Sequence, residues 1–285
     1  MSYVNCQLCP RRCGVDRTAG QTGFCGGPDR ATVAKVMIHK WEEPVLAGSG
    51  GSGAIFFGGC TLGCSYCQNR AISGSPVGTP MDSGELRQLM ESLIAQGAEN
   101  IDLVTPTQYL PTILPALEEK LPVPVVYNCG GYERPETIAL LKDKVDIFLP
   151  DLKYADDALA GKLSGAGDYF EVATMAIRTM AELVGPPQWQ GERLVKGTVI
   201  RHLILPGNVE NSLKVLDWIG ETFAPGQVLV SLMRQYTPMP GMKPPLDRPV
   251  TEEEYQSVLS WMYLNGLEGF TQEATAADTA YIPDF

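Results

Sequence analysis

From residue 54 onward, short apolar runs alternate with longer stretches whose apolar residues recur every three or four positions. Short apolar runs read as buried strands and the longer period as amphipathic helices, so their alternation predicts parallel β/α units. The strands are predicted at 54–57, 101–104, 123–127, 145–149, 199–205 and 228–232. The first intervening helix is the clearest. Asp82 and Glu85 stand at capping-box spacing, Leu86, Leu89, Met90, Leu93 and Ile94 share a face, and Gly97 ends it. Pro135 opens another helix with Ile138 and Leu141 apolar, and 155–185 holds one or two more. Thr251 and Glu254 repeat the capping-box spacing ahead of Tyr255, Val258, Leu259 and Met262, and Gly266 stops that helix. Six such units predict an α/β fold, a partial six-stranded parallel (β/α) barrel with its chemistry just after the strands.

The chain before residue 54 reads differently. Residues 1–30 are rich in Cys, Gly and Arg and lack apolar periodicity, so they need a staple to order them. A short strand is predicted at 33–38, and the Gly/Ser run at 48–53 is either a linker or a packed turn. The expected organisation is a Cys-rich metal-binding segment, 1–48, followed by the barrel, 49–285. A short strand and an extended tail are expected from 269 to 285.

The chain has 285 residues, enough for one sizeable core. No apolar run approaches the roughly 20 residues that span a bilayer, and the first ten residues lack a signal-peptide pattern. A cytoplasmic protein without a membrane partner is expected, and its eight cysteines are read as reduced, mostly as metal ligands and not as disulfides. The 33 acidic residues outnumber 22 basic ones, giving a net charge of -11 with no basic block, which argues against a nucleic-acid partner.

Chemistry concentrates in Cys60-Thr61-Leu62-Gly63-Cys64-Ser65-Tyr66-Cys67. Electron-transfer clusters and structural zinc sites are closed by four protein ligands, whereas three thiolates on one loop leave an iron open for chemistry. With Tyr66 just before the last cysteine, the spacing resembles the signature of the radical S-adenosylmethionine (SAM) superfamily. That resemblance implies a [4Fe-4S] cluster on Cys60, Cys64 and Cys67, with SAM on the fourth iron. Electron transfer then breaks the sulfonium bond, and a 5′-deoxyadenosyl radical takes hydrogen from a substrate. It also implies a partial barrel and an electron donor such as flavodoxin or ferredoxin.

The resemblance covers nearly the whole chain. It includes Cys6-Gln7-Leu8-Cys9-Pro10-Arg11-Arg12-Cys13-Gly14, Gly23-Phe24-Cys25-Gly26, Glu42-Glu43-Pro44, Phe56-Phe57-Gly58-Gly59-Cys60 and Arg201-His202-Leu203-Ile204-Leu205-Pro206-Gly207. Together they look like the radical SAM group described as pyruvate formate-lyase activating enzyme-like. Similarity to glycyl-radical activating enzymes implies SAM contacts from Tyr66, Asn69, Asn128, Asp151, Lys153, Leu203, and Gln235 or Tyr236. Three departures stand out: Gln68 where those enzymes have histidine, Asn128-Cys129-Gly130 where they have Asp-Thr-Asn, and Thr105-Pro106-Thr107 in place of Gly-Gly-Glu. Thr105 and Thr107 offer SAM's ammonium neutral acceptors only.

Other residues read as structural. Cys129 has no partner at ligand spacing and reads as an inert buried thiol, and His39 and His202 read as hydrogen-bonded framework. Cys6, Cys9, Cys13 and Cys25 form C-x2-C-x3-C-x11-C, which suits either zinc or a second iron-sulfur centre. Three functions remain open: hydrogen abstraction from a small molecule, activation of a glycyl-radical enzyme at a protein glycine, or iron-sulfur electron transfer or assembly without SAM.

Overall fold

The computed structural model of the protein describes residues 2–272. Its strands are β1 (Ala31–His39), β2 (Ser52–Phe57), β3 (Thr79–Met81), β4 (Asn100–Val104), β5 (Val125–Cys129), β6 (Ile147–Pro150), β7 (Gln188–Gln190), β8 (Arg193–Leu203), β9 (Leu229–Met233) and β10 (Gly269–Thr271). Its helices are α1 (Pro44–Ala47), α2 (Arg70–Ser73), α3 (Ser83–Ala95), α4 (Leu110–Ala116), α5 (Pro135–Ile138), α6 (Asp157–Ser164), α7 (Tyr169–Val184), α8 (Val209–Thr222) and α9 (Glu252–Leu264).

Strands β2, β4, β5, β6, β8 and β9 run parallel as successive neighbours. They are the six strands predicted from the alternation, and they form an open α/β sheet of partial-barrel type. β1 and β3 extend one edge antiparallel, and β10 joins β9 in parallel at the other. Some boundaries differ from prediction. β5 starts at Val125 because Pro124, without an N–H, can only accept, from Ile101 N at 2.9 Å. β8 starts earlier, at Arg193, because its first residues form a hairpin with β7. The tail from residue 273 lies outside the described residues.

Side chains alternate across each strand, so the sheet has two distinct faces. On the outer face Ile101, Leu103, Val125, Tyr127 and Phe148 pack against Leu86, Met90 and Leu93 of α3 and Leu110 and Ile113 of α4. Both predicted capping boxes are present, Asp82 with Glu85 and Thr251 with Glu254. On the inner face Val126, Ile147, Leu149, Val199 and Leu229 pack on Val45 and Leu46 of α1, which plugs one end of the barrel. The Gly/Ser run at 48–53 is a packed turn: Gly51 sits at φ 89, and a Cβ there would meet Ile38 and the His39 carbonyl.

Candidate active site

The cysteine loop leaves the C-terminal end of β2, and its turns depend on Gly59 at φ 77 and Gly63 at φ 74. Cys60 lies within electrostatic range of both Cys64 and Cys67. Burial and the Cys64 sulfur push the Cys60 thiol up to about 12, and burial also raises Cys64. Each sulfur has a donor at hand. Leu62 N stands 3.4 Å from Cys60 Sγ, Ser164 Oγ 3.1 Å from Cys64 Sγ and Ser73 Oγ 3.4 Å from Cys67 Sγ. At Cys64 the Ser164 hydroxyl and the Lys153 charge work against the effect of burial, and an iron-sulfur cluster would supply the positive charge that turns these thiols into thiolates. Among the described residues no three Cys, His, Asp or Glu side chains are arranged to hold a single metal ion.

Below the loop, the inner face carries a layer of charge between the α1 plug and the strand ends. Arg201 of β8 donates to Asp151 Oδ1 at 2.9 Å, Asn128 Oδ1 at 2.5 Å and Glu42 Oε1 at 3.4 Å. Lys153 Nζ donates to Asp151 Oδ2 at 2.5 Å. Burial opposes ionisation of Asp151, but the Arg201 and Lys153 charges outweigh it and hold the carboxyl below its usual range. Asn128 Nδ2 donates to Asp102 Oδ2 at 3.3 Å, and Ser231 Oγ to Glu43 Oε1 at 2.8 Å. Burial and the neighbouring Glu42 carboxyl raise Asp102 far above the usual range and Glu43 to about 7.

Sequence reasoning picks out Asn128, Asp151 and Lys153 but misses Asp102 and gives Arg201 and Glu42 no role. A signal was present: Asp102 interrupts Asn-Ile-Asp-Leu-Val and Arg201 interrupts Val-Ile-Arg-His-Leu, charges inside runs that otherwise read as buried strand.

Around this layer the other sequence-predicted residues take different places. Leu203 closes β8 on the inner face opposite Met233, and Asn69 stands at the N-cap position of α2 without a side-chain bond to the helix. Thr105 sits at the end of β4 with φ 58, unusual for a β-branched residue, held by its N–H to Asn128 O at 2.8 Å and by Gln108 Nε2 to its carbonyl at 2.9 Å. The Thr107 hydroxyl is engaged inside the wall, donating to Glu133 Oε1 at 2.5 Å and accepting from Tyr127 at 3.1 Å. The Tyr66 hydroxyl lies 2.9 Å from that of Tyr154, with its ring against Tyr236. Gln235 receives Gln68 Nε2 on its carbonyl at 3.0 Å and Gln272 Nε2 on its side chain at 3.1 Å. Cys129 is buried, with its pKa raised by burial and then by Glu133. His202 faces the outer core, where its ring nitrogens meet Leu152 O at 2.6 Å and Ser212 Oγ at 2.8 Å.

The amino-terminal cysteines form a second group. Cys9 lies within electrostatic range of Cys25 and Cys6, and Cys25 of Cys6 and Cys13, while burial pushes Cys9 up to about 12. A small core of Tyr3, Cys6, Leu8 and Val15 supports them. Two arginines fasten the segment to the barrel. Arg17 donates to Gln108 O at 2.6 Å, and Arg11 reaches Thr61 O and Leu62 O at 3.1 Å and Ser164 O at 3.0 Å. A Cβ on Gly59 would strike the Cys25 carbonyl, so the two cysteine segments touch.

Comparison with known proteins agrees with this geometry. A family model described as the Radical SAM superfamily matches residues 54–219. An uncharacterized protein of Methanocaldococcus jannaschii is 28% identical over 272 residues, covering 90% of this chain and 74% of that protein. Streptococcus suis SuiB bound to S-adenosylmethionine has a TM-score of 0.54 at 14% identity, over 76% of this chain and 49% of SuiB. A radical SAM methyltransferase from Sphaerobacter thermophilus has a TM-score of 0.54 at 15% identity, over 78% of this chain and 66% of that one. The chain therefore spans about half the length of SuiB, and at these identities the likeness is one of fold.

Proposed function

Because the chain belongs to the radical SAM superfamily, we propose that it reductively cleaves SAM and takes a hydrogen atom from a small molecule held inside the barrel. In this family a [4Fe-4S] cluster supplies the electron that breaks SAM's sulfonium bond, leaving methionine and the hydrogen-abstracting 5′-deoxyadenosyl group. Cys60, Cys64 and Cys67 would hold the cluster, since they share one loop within electrostatic range of each other and each sulfur has a donor. Asp151 and Lys153 would orient SAM's charged end, with Asn69, Asn128, Thr105, Leu203 and Gln235 around it. The amino-terminal motifs support membership of the pyruvate formate-lyase activating enzyme-like group. A flavodoxin- or ferredoxin-type donor would supply the electron.

One observation carries the choice of a small molecule. The charged side chains below the cysteine loop are nearly enclosed, with Glu42 11%, Arg201 14%, Lys153 16% and Asp151 19% exposed. That enclosure suits a metabolite better than a peptide loop, which needs an open groove.

The test incubates reduced, reconstituted protein with SAM and an extract of cells grown in heavy water. Deuterium in 5′-deoxyadenosine, passed from a C–D bond of a metabolite, is the expected result. A glycyl-radical signal on a partner protein without that deuterium would favour the activase. No 5′-deoxyadenosine at all would overturn the enzyme reading.

A further inference from the structure

We infer that Ser164 and Tyr154 are positioning residues for the cysteine loop: the Ser164 hydroxyl gives its proton to the Cys64 sulfur, Tyr154 holds it in that sense, and together they make a cluster on that loop easier to reduce. The inference rests on the cluster assigned above to Cys60, Cys64 and Cys67.

The first argument is geometry. Ser164 Oγ lies 3.1 Å from Cys64 Sγ, closer than the donors of the other two sulfurs, which stand at 3.4 Å. Ser164 is the last residue of α6, and that helix end is fastened to the cysteine loop. Ser65 N donates to Leu163 O at 2.8 Å, and Arg11 Nη2 bonds both Leu62 O at 3.1 Å and Ser164 O at 3.0 Å. Backbone bonds thus present the hydroxyl to the sulfur. The serine is 3% exposed, so bulk water does not compete for its proton.

The second argument is the direction of the protons. Behind Ser164 stands Tyr154, its hydroxyl 2.7 Å from Ser164 Oγ and 2.9 Å from the hydroxyl of Tyr66. Each hydroxyl carries one proton, and a thiolate has none to give. With Cys64 ionised the chain therefore runs one way: Tyr66 donates to Tyr154, Tyr154 to Ser164, and Ser164 to the sulfur. The opposite sense, in which Ser164 donates to Tyr154 and Tyr154 to Tyr66, takes the Ser164 proton from the sulfur and suits only the protonated thiol. Hydroxyls in series polarise one another, so Tyr154 strengthens a bond it does not itself make. It cannot turn away, because its ring is buried and packs edge-on against Tyr169 at 5.1 Å and Tyr66 at 6.5 Å.

The third argument is charge. Reduction adds one electron to a buried site in a chain of net charge -11, with the Asp151 carboxyl in electrostatic range of Cys64. A donor to a cluster sulfur stabilises the more negative state and so raises the reduction potential.

The test reconstitutes the parent protein, Ser164→Ala, Ser164→Thr and Tyr154→Phe and matches them for iron and sulfide. Each is then reduced stepwise in the presence of redox mediators, and the reduced cluster is followed by electron paramagnetic resonance. Ser164→Ala should be at least tenfold harder to reduce, a fall of about 59 mV for one electron. Ser164→Thr, which keeps the hydroxyl, should stay with the parent. Tyr154→Phe, which keeps the ring, should fall in the same direction but less far. Unchanged potentials in Ser164→Ala and Tyr154→Phe overturn the inference. So does a Ser164→Thr protein that falls as far as Ser164→Ala, since packing and not the hydroxyl would then be the cause. If Ser164→Ala holds no cluster, Tyr154→Phe decides alone. This readout needs no SAM. Shifted potentials in a protein that forms no 5′-deoxyadenosine uphold the inference and overturn SAM cleavage, and unshifted variants of a parent that cleaves SAM do the reverse.

Discussion

The Nε of Arg11 donates to the carbonyl of Thr61 at 3.1 Å, so a residue of the amino-terminal segment fixes the first turn of the loop that carries Cys60, Cys64 and Cys67. The same guanidinium reaches Leu62 and Ser164 and lies over the Phe24 ring. Arg11→Leu removes these bonds and leaves partly buried carbonyls unpaired, at about 1.5–3 kcal/mol for each charged hydrogen bond. It should lose at least tenfold in cluster retention, measured as iron content after gel filtration. Arg11→Lys, a single-point donor on the same charge, should fall between the two. Equal iron in all three proteins would mean the latch is incidental.

The four amino-terminal cysteines, which among the described residues are not arranged to hold a single ion, should close on one metal centre of their own when it is supplied. They share one electrostatic neighbourhood, and the small core around Tyr3 and Leu8 is too limited to order the segment alone. A protein with Cys60, Cys64 and Cys67 all changed to Ala should retain zinc, or iron with sulfide. If it remains folded and holds neither, the segment is held by the arginines and the barrel wall instead.

Asp151→Ala and Lys153→Ala should each weaken SAM binding or uncouple its cleavage. Each loss removes a charged hydrogen bond worth about 1.5–3 kcal/mol, enough for a tenfold change in affinity. The Asp151 change also frees Arg201, so it should be the more damaging of the two. Wild-type binding and cleavage by both variants, at full iron content, would return this pair to a purely structural role.

His202 sets a pH dependence of stability. Burial is the main cause that lowers its pKa to about 4, from an ordinary 6.5. The folded protein therefore resists protonation that the unfolded chain accepts. The neutral ring's contribution is complete above pH 6.5 and is lost as pH falls toward 4, a change of about 3 kcal/mol. The stability difference between the protein and His202→Gln, measured by urea unfolding, should widen by up to that amount from pH 4 to 6.5. A constant difference across the window would contradict the assignment.

The barrel was legible because its signals are local. Alternating periods marked the six parallel strands, and Asp82 with Glu85 marked a helix start that depends on side chains three residues apart. Gln188-Trp189-Gln190 was not legible as β7, because all three residues are exposed and carry no apolar alternation. The charged layer was only half legible. Asp151 and Lys153 are neighbours in sequence, but the meeting of Glu42 with Arg201 spans 159 residues and exists only once the barrel has curved. The same holds for Thr107: its residue type offers a hydroxyl to SAM, while the hydroxyl's actual partner, Glu133, comes from another loop.

The central claim is SAM cleavage at the cysteine loop, and 5′-deoxyadenosine formation by the reduced protein measures it most directly. The account predicts product from the reconstituted protein with SAM and none above background from Cys60→Ala, Cys64→Ala or Cys67→Ala. Unchanged product from any one of those variants, or none from the parent protein carrying a full cluster, would contradict it.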